Sequence, residues 1–157
     1  MVEPFHLECV QPCSYDVHLG TRIKKESCSG FRDVDLSPYT ESSPLMIAPG
    51  CFLLGETIET IRLPDNVEAH LHLVSSRARE GFQHAVSGLV DAGYQGRLTL
   101  ELKNNLQYNF IPIYPGLRIA QLTFFEYMES AEKPYRGRYF GDSEVSTSKS
   151  GKDLLVT

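Results

Sequence analysis

Residues 87–104 read SGLVDAGYQGRLTLELKN, and the second half of this stretch decides the fold class. Leu98, Leu100 and Leu102 fall on one side of an extended backbone, with Arg97, Thr99, Glu101 and Lys103 on the other. Strict alternation of this kind marks a strand with one buried and one wet face. The first half is punctuated by Gly88, Gly93 and Gly96, which permit sharp bends and a close approach of backbone to a ligand. Asp91 between them is placed to receive a sugar hydroxyl or position a water; a hairpin turn with an Asx cap is the plainer alternative. Glu101 has three readings: a solvated carboxylate, a partner of Arg97 or Lys103, or a desolvated acid–base group lining a cleft.

Working outward, Gly and Pro recur at short intervals, and the runs between them suit strands: SYDVHLGTRIKK (14–25), CFLLGETIETIRL (51–63), EAHLHLV (68–74), FIPIY (110–114) and LRIAQLTFFEY (117–127). Many short strands with turn signals predict an all-β sandwich or barrel. SSRAREGFQHAV (75–86) is the one candidate for a turn or two of helix, capped by Ser75 or Ser76. The last stretch, from Gly141 onward, is polar and Ser/Gly-rich, which predicts a mobile tail.

At 157 residues the chain is long enough for one domain with a real core. A net charge of −5 argues against a broad nucleic-acid surface. No apolar run approaches the ~20 residues that span a bilayer, and MVEPFHLECVQPCS lacks the apolar region of a signal peptide. Cys9, Cys13, Cys28 and Cys51 form no C-x-x-C pair, so free thiols in a cytoplasmic protein are expected.

VSSRAR (74–79) combines two hydroxyls and two arginines, a composition that suits phosphate oxygens; a capped turn with solvated arginines is the alternative. Glu68, His70 and His72 share a strand face, yet no further ligand cluster follows, which disfavours a metal site. The zinc deaminase signature H-x-E…P-C-x-x-C is absent.

Taken in order, CSYDVHLG (13–20), APGCFLLGETIETIRLPDNV (48–67), SSRAR (75–79), SGLVDAGYQGRLTLELKN (87–104), IYPGLRIAQLTFF (113–125) and KPYRGRYFGD (133–142) resemble the dCTP deaminase and dUTPase family. The resemblance implies a distorted β-barrel, jelly-roll-like fold in a homotrimer with sites built between subunits. It implies a single domain over 1–141 and a flexible C-terminal lid over 142–157. The ligands it implies are dCTP or dUTP carrying Mg²⁺, without zinc, with dTTP a candidate inhibitor. By position, Ser75, Ser76 and Arg79 would hold phosphates and orient the catalytic water, and Asp91 would contact the deoxyribose 3′-hydroxyl. Tyr135, Arg138 and Tyr139 would stack on the sugar and grip the triphosphate. Val86, Thr99, Gln121 and Asp142 complete the nucleotide-binding set, Val86 at the wall beside the base and Asp142 where the family carries a glutamine.

Glu101 separates the branches. In deaminase-like members the matching residue activates water for attack on C4 of cytosine; in dUTPases the aspartate matching Asp91 activates water at the α-phosphate. Having both carboxylates implies a dCTP deaminase, with bifunctional conversion to dUMP as its extension. A dUTP diphosphatase and a catalytically decayed nucleotide-binding trimer are the alternatives. Leu73-Val74 replaces the Gly-Arg that usually precedes the serines, which together with HAVSG (84–88) fits a short, divergent member, a viral one among the candidates.

Overall fold

The computed structural model describes residues 1–85 and 88–150. Eleven strands carry the fold: β1 (Val2–Glu3), β2 (Tyr15–Ser27), β3 (Gly30–Asp35), β4 (Leu45–Ile47), β5 (Phe52–Arg62), β6 (Val67–Leu73), β7 (Phe82–His84), β8 (Leu89–Val90), β9 (Gln95–Asn104), β10 (Ile111–Ile113) and β11 (Arg118–Glu126), with one short helix, α1 (Ser75–Arg79), between β6 and β7. Nine strands form one sheet in the order β7-β9-β5-β2-β11-β6-β8, with β1 added to β5 and β3 to β2; β4 and β10 form a separate pair.

Chain length forces this sheet to curl. β7 and β8 sit at opposite ends of the order, about 29 Å apart if six strand spacings of roughly 4.8 Å lay flat. They are consecutive in the chain, and His84 and Leu89 are joined by five peptide steps, which reach at most about 18 Å. The sheet therefore bends back on itself into the barrel-like form that the alternating strands predict. Inside lie Val17, Leu19, Leu53, Leu100, Leu102, Ile119 and Leu122, all fully buried. Leu98, Leu100 and Leu102 point inward as read, while Arg97, Thr99 and Glu101 are partly covered on the outer face.

Two expectations need correction. The segment 75–86 holds its turn of helix over Ser75–Arg79, but the N-cap is Val74, with no side-chain cap hydrogen bond. Val74 is buried, its N–H donates to the Ile119 carbonyl at 3.2 Å, and its own carbonyl accepts from Arg77 and Ala78. Packing thus fixes the helix start one residue before the serines, and Phe82–His84 then joins β9 as a strand. The Asp91 turn is not a hairpin, because β8 pairs with β6 while β9 pairs with β5 and β7. The segment expected as a tail begins on the barrel, where Gly96 and Asp142 form a parallel bridge and Val145 is buried; its residues 151–157 lie outside the described residues.

Asn104 ends β9 with a fully buried amide whose Nδ2 donates to the carbonyls of Ile47 and Asn109, each at 2.9 Å, while Oδ1 accepts from the Leu106 N–H at 2.9 Å. One side chain thus ties β4, β9 and the loop before β10. Asn104→Ala strands three backbone groups, and a loss of about 2 kcal/mol in chemical denaturation is expected.

Candidate active site

Each candidate residue is positioned by a different local device. α1 is a single turn that leaves Ser75, Ser76 and Arg79 exposed. Arg77 turns the other way: it is mostly covered, pairs with Glu80 at 2.8 Å, and its Nε is buried without a partner. It faces a cavity of about 470 Å³ with Glu41, Phe110 and Tyr114, so one arginine of the motif is engaged with its own subunit and the other is presented outward.

The Asp91 turn owes its shape to what packs on it. Gly93 has φ +83°, and a Cβ there would lie 2.8 Å from Pro134 Cβ. In that space Tyr135 N–H donates to the Ala92 carbonyl at 2.9 Å, and Arg136 Nη1 donates to the Gly93 carbonyl at 2.9 Å. The Tyr135 ring rests on Tyr94, with centroids 5.8 Å apart. Gly96, with φ +144°, would bring a Cβ to 2.8 Å from the Asp142 carbonyl oxygen. Close approach is therefore what these glycines provide, and the groups that approach are the chain's own residues 134–136 and 142. Asp91 itself is exposed beside them.

The C-terminal residues form one cluster. Tyr139 N–H donates to the Tyr135 hydroxyl at 3.2 Å, Lys149 Nζ donates to the Arg138 carbonyl at 3.1 Å, and Lys149 pairs with Asp142 and lies 5.3 Å from the Tyr139 ring centroid. The segment then crosses the outer face of β9: Arg97 N–H donates to the Asp142 carbonyl at 2.7 Å, and Ser146 N–H reaches Thr99 Oγ1 at 3.4 Å. Thr99 and Asp142 are thus brought together, on the strand face that carries Glu101.

Glu101 is neither simply solvated nor ion-paired with Arg97. Its Oε2 is buried without a hydrogen-bond partner, and burial raises the pKa of its carboxyl. Arg97 pairs with Glu56 at 3.3 Å instead. A carboxylate kept from water and uncompensated by a cation is more basic than one in solution, the property a general base or acid needs.

Gln121 lies elsewhere. It is registered against Asp16 on β2 and His72 on β6, and accepts from Ser14 Oγ at 3.3 Å; two strands separate β11 from β9 in the sheet order. Beside it Asp16 meets Arg118 at 3.0 Å, and buried Glu59 lies 2.7 Å from His18 Nδ1, a contact that raises the histidine's pKa. Among the described residues, no hydrogen bond or ion pair joins Ser75, Ser76 or Arg79 to the Glu101 or Tyr135 groups. Val86 lies outside the described residues. Glu68, His70 and His72 share their strand face as read, with His70 Nε2 3.4 Å from Glu68. Among the described residues no group of three or more His, Cys, Asp or Glu is arranged to hold a metal ion, and no helix is long and apolar enough to cross a membrane.

Two residues of this region escaped the sequence reading: Glu56, buried beneath the C-terminal segment, and Lys149 at the centre of its cluster. Glu56 left a signal of the same kind as Glu101, a carboxylate inside an apolar β-run. Lys149 left none.

A family model described as dCTP deaminase-like matches residues 1–127. The dCTP deaminase, dUMP-forming, of Dictyoglomus turgidum is 34% identical over 165 residues, covering 94% of this chain and 84% of that protein. The protein of the same name from Nanoarchaeum equitans is 34% identical over 185 residues, covering 99% and 91%. Among solved structures, the 2′-deoxycytidine 5′-triphosphate deaminase of Agrobacterium tumefaciens aligns with TM-score 0.66 at 23% identity, over 78% of this chain and 42% of that one. The dUTPase of the Staphylococcus aureus phage phi11, in a mutant form that coordinates a structural Mg(II) ion, aligns with TM-score 0.54 at 16% identity, over 88% and 97%. These two share the fold.

Proposed function

Because the chain belongs to the dCTP deaminase-like family, we propose that it deaminates dCTP and carries the product on to dUMP, as the names of its curated relatives describe for them. The observation that carries this reading is the buried, partnerless Oε2 of Glu101 on the strand face over which the C-terminal segment closes.

In the first step Glu101 takes a proton from water as the oxygen attacks C4 of the cytosine ring. It passes that proton to ring N3 and then carries the proton of the new C4 hydroxyl to the exocyclic nitrogen; the C4–N bond breaks, and ammonia leaves with dUTP remaining. Ser75 and Ser76 donate to phosphate oxygens and the attacking water, and Arg79 offers its guanidinium fork to the triphosphate. In the second step a water oxygen displaces diphosphate at the α-phosphorus, with Asp91 accepting its proton; Asp91 also receives the 3′-hydroxyl. Mg²⁺ enters with the triphosphate as part of the substrate. Tyr135, Arg138, Tyr139 and Asp142 belong to a lid spanning 142–157 and the turn before it, which closes on the bound nucleotide and excludes water.

Three copies complete the site. The exposed Ser75, Ser76 and Arg79 of one subunit face the Glu101 strand of another, which accounts for their lack of contact within one chain. Incubation with dCTP, dUTP or dTTP and Mg²⁺ tests the substrate class: turnover of dCTP with no turnover of dTTP is expected. Turnover of none of the three, with binding retained, would mean that the chemistry has been lost.

A further inference from the structure

Beneath the C-terminal segment lies a cavity of about 440 Å³ lined by Arg22, Glu56, Arg97, Ser143 and Glu144, together with two threonines. Its floor is Glu56, only 1% exposed and opposite Thr99 in the β5–β9 register. One carboxylate oxygen lies 3.3 Å from Arg97 Nη1, and the other, Oε2, is buried with no partner. The roof is the segment itself: Gly141 N–H donates to Gln95 O at 2.7 Å, the Asp142 carbonyl accepts from Arg97 N–H, Val145 is buried, and Glu144 pairs with Arg22. The roof is therefore held by backbone bonds, one apolar side chain and one exposed ion pair, and it covers a carboxylate in contact with Arg97 and with the roof's own Val145 N–H.

We propose that Glu56 is a positioning residue for the C-terminal segment: the charge on its buried carboxylate sets how firmly residues 142–146 close against β9. Closing the roof strips water from the carboxylate, which costs free energy when it is ionised and little when it is neutral. Opening restores that water. Burial raises the Glu56 pKa, opposed chiefly by Arg97 and by the Val145 backbone N–H. The cost of burial exceeds what Arg97 and the Val145 N–H return, so closure is favoured below the carboxyl's raised folded-state pKa and weakens as pH rises through it.

Among the described residues, the other charged groups facing Glu56 are Arg97 from β9, Arg22 from β2 and Glu144 from the segment, and no histidine lines the cavity. Asp142 is engaged by Lys149 and Ser146. Glu101, farther along the same face of β9, also has a raised pKa, so Glu101→Gln serves as a background in which its titration is absent.

The closure is read without nucleotide, by amide hydrogen exchange of residues 141–147 from the ordinary carboxylate range, about pH 4.5, up to pH 8, as protection factors corrected for intrinsic rates. Protection in the unmodified protein should fall at least threefold as pH rises, in the Glu101→Gln background as well. Glu56→Gln should hold the higher, acid-side protection across the range. Flat protection in the unmodified protein, or a fall that persists in Glu56→Gln, overturns the proposal; the first arm needs no Glu56 variant to fold. The consequence for nucleotide affinity rests on the proposed function: KM for dCTP should drop about threefold in Glu56→Gln. If exchange responds as expected and KM does not, the nucleotide role of the segment fails and the role of Glu56 stands.

Discussion

Glu101→Gln should lower ammonia release from dCTP by 10³-fold or more, about 4 kcal/mol of transition-state stabilisation, with nucleotide affinity within a few-fold of the parent. An amide keeps the shape and the hydrogen-bonding capacity of the carboxyl but cannot take a proton from water. The protein should not lose stability with its activity. Burial raises the Glu101 pKa, so the fold disfavours the ionised form, and that cost is present in full above the folded-state pKa and absent below the unfolded one. At neutral pH the glutamine variant should therefore melt no lower than the parent. The same shift places the acid limb of kcat/KM: activity should fall with decreasing pH through a value above the usual carboxylate range. Steady-state kinetics and a melting curve check these points together, and a Glu101→Gln enzyme that still releases ammonia at the parent rate would remove the residue from the mechanism.

One residue earlier, Leu100→Ala should cost about 2–5 kcal/mol of unfolding free energy. Leu100 is fully buried and sits on β9, which is hydrogen-bonded to both β5 and β7. Its removal leaves a void in the middle of the barrel rather than at an edge where neighbours can settle. A urea titration reads the effect as a lower midpoint with unchanged slope. The two predictions differ because adjacent strand residues face opposite ways: Leu100 holds the barrel, whereas Glu101 is held by it. A Leu100→Ala protein as stable as the parent would mean that β9 does not pack as described.

That division between faces was legible in the sequence, since a period of two over 97–103 needs no tertiary information. The strands containing Tyr15 and Val67 were legible for the same reason, and those containing Phe52 and Arg118 as runs of strand formers between Gly and Pro turn signals. Gly30–Asp35 was not, because it is exposed along nearly its whole length and carries no alternation. The helix cap was misplaced because serine is the better local cap, while the burial of Val74 is a tertiary fact. Glu56 and Glu59 would point to opposite faces of a regular strand, yet both are buried. The register of β5 against β9 shifts between Glu56 and Thr60, and a bulge of that kind re-aims side chains in a way alternation cannot foretell. Of the site, Asp91 and Glu101 stood out as carboxylates in unusual company. The docking of residues 142–150 on their own barrel did not, because a polar, Ser-rich stretch looks the same whether it is seated or free.

The most direct test of the account is a single time course on the unmodified protein with dCTP and Mg²⁺, measuring ammonia and diphosphate in the same tube. Ammonia and diphosphate rising together in a one-to-one ratio, with dUMP as the final nucleotide, is the predicted result. No ammonia from dCTP would contradict it, and diphosphate from a parallel tube of dUTP would then move the chemistry from Glu101 to Asp91.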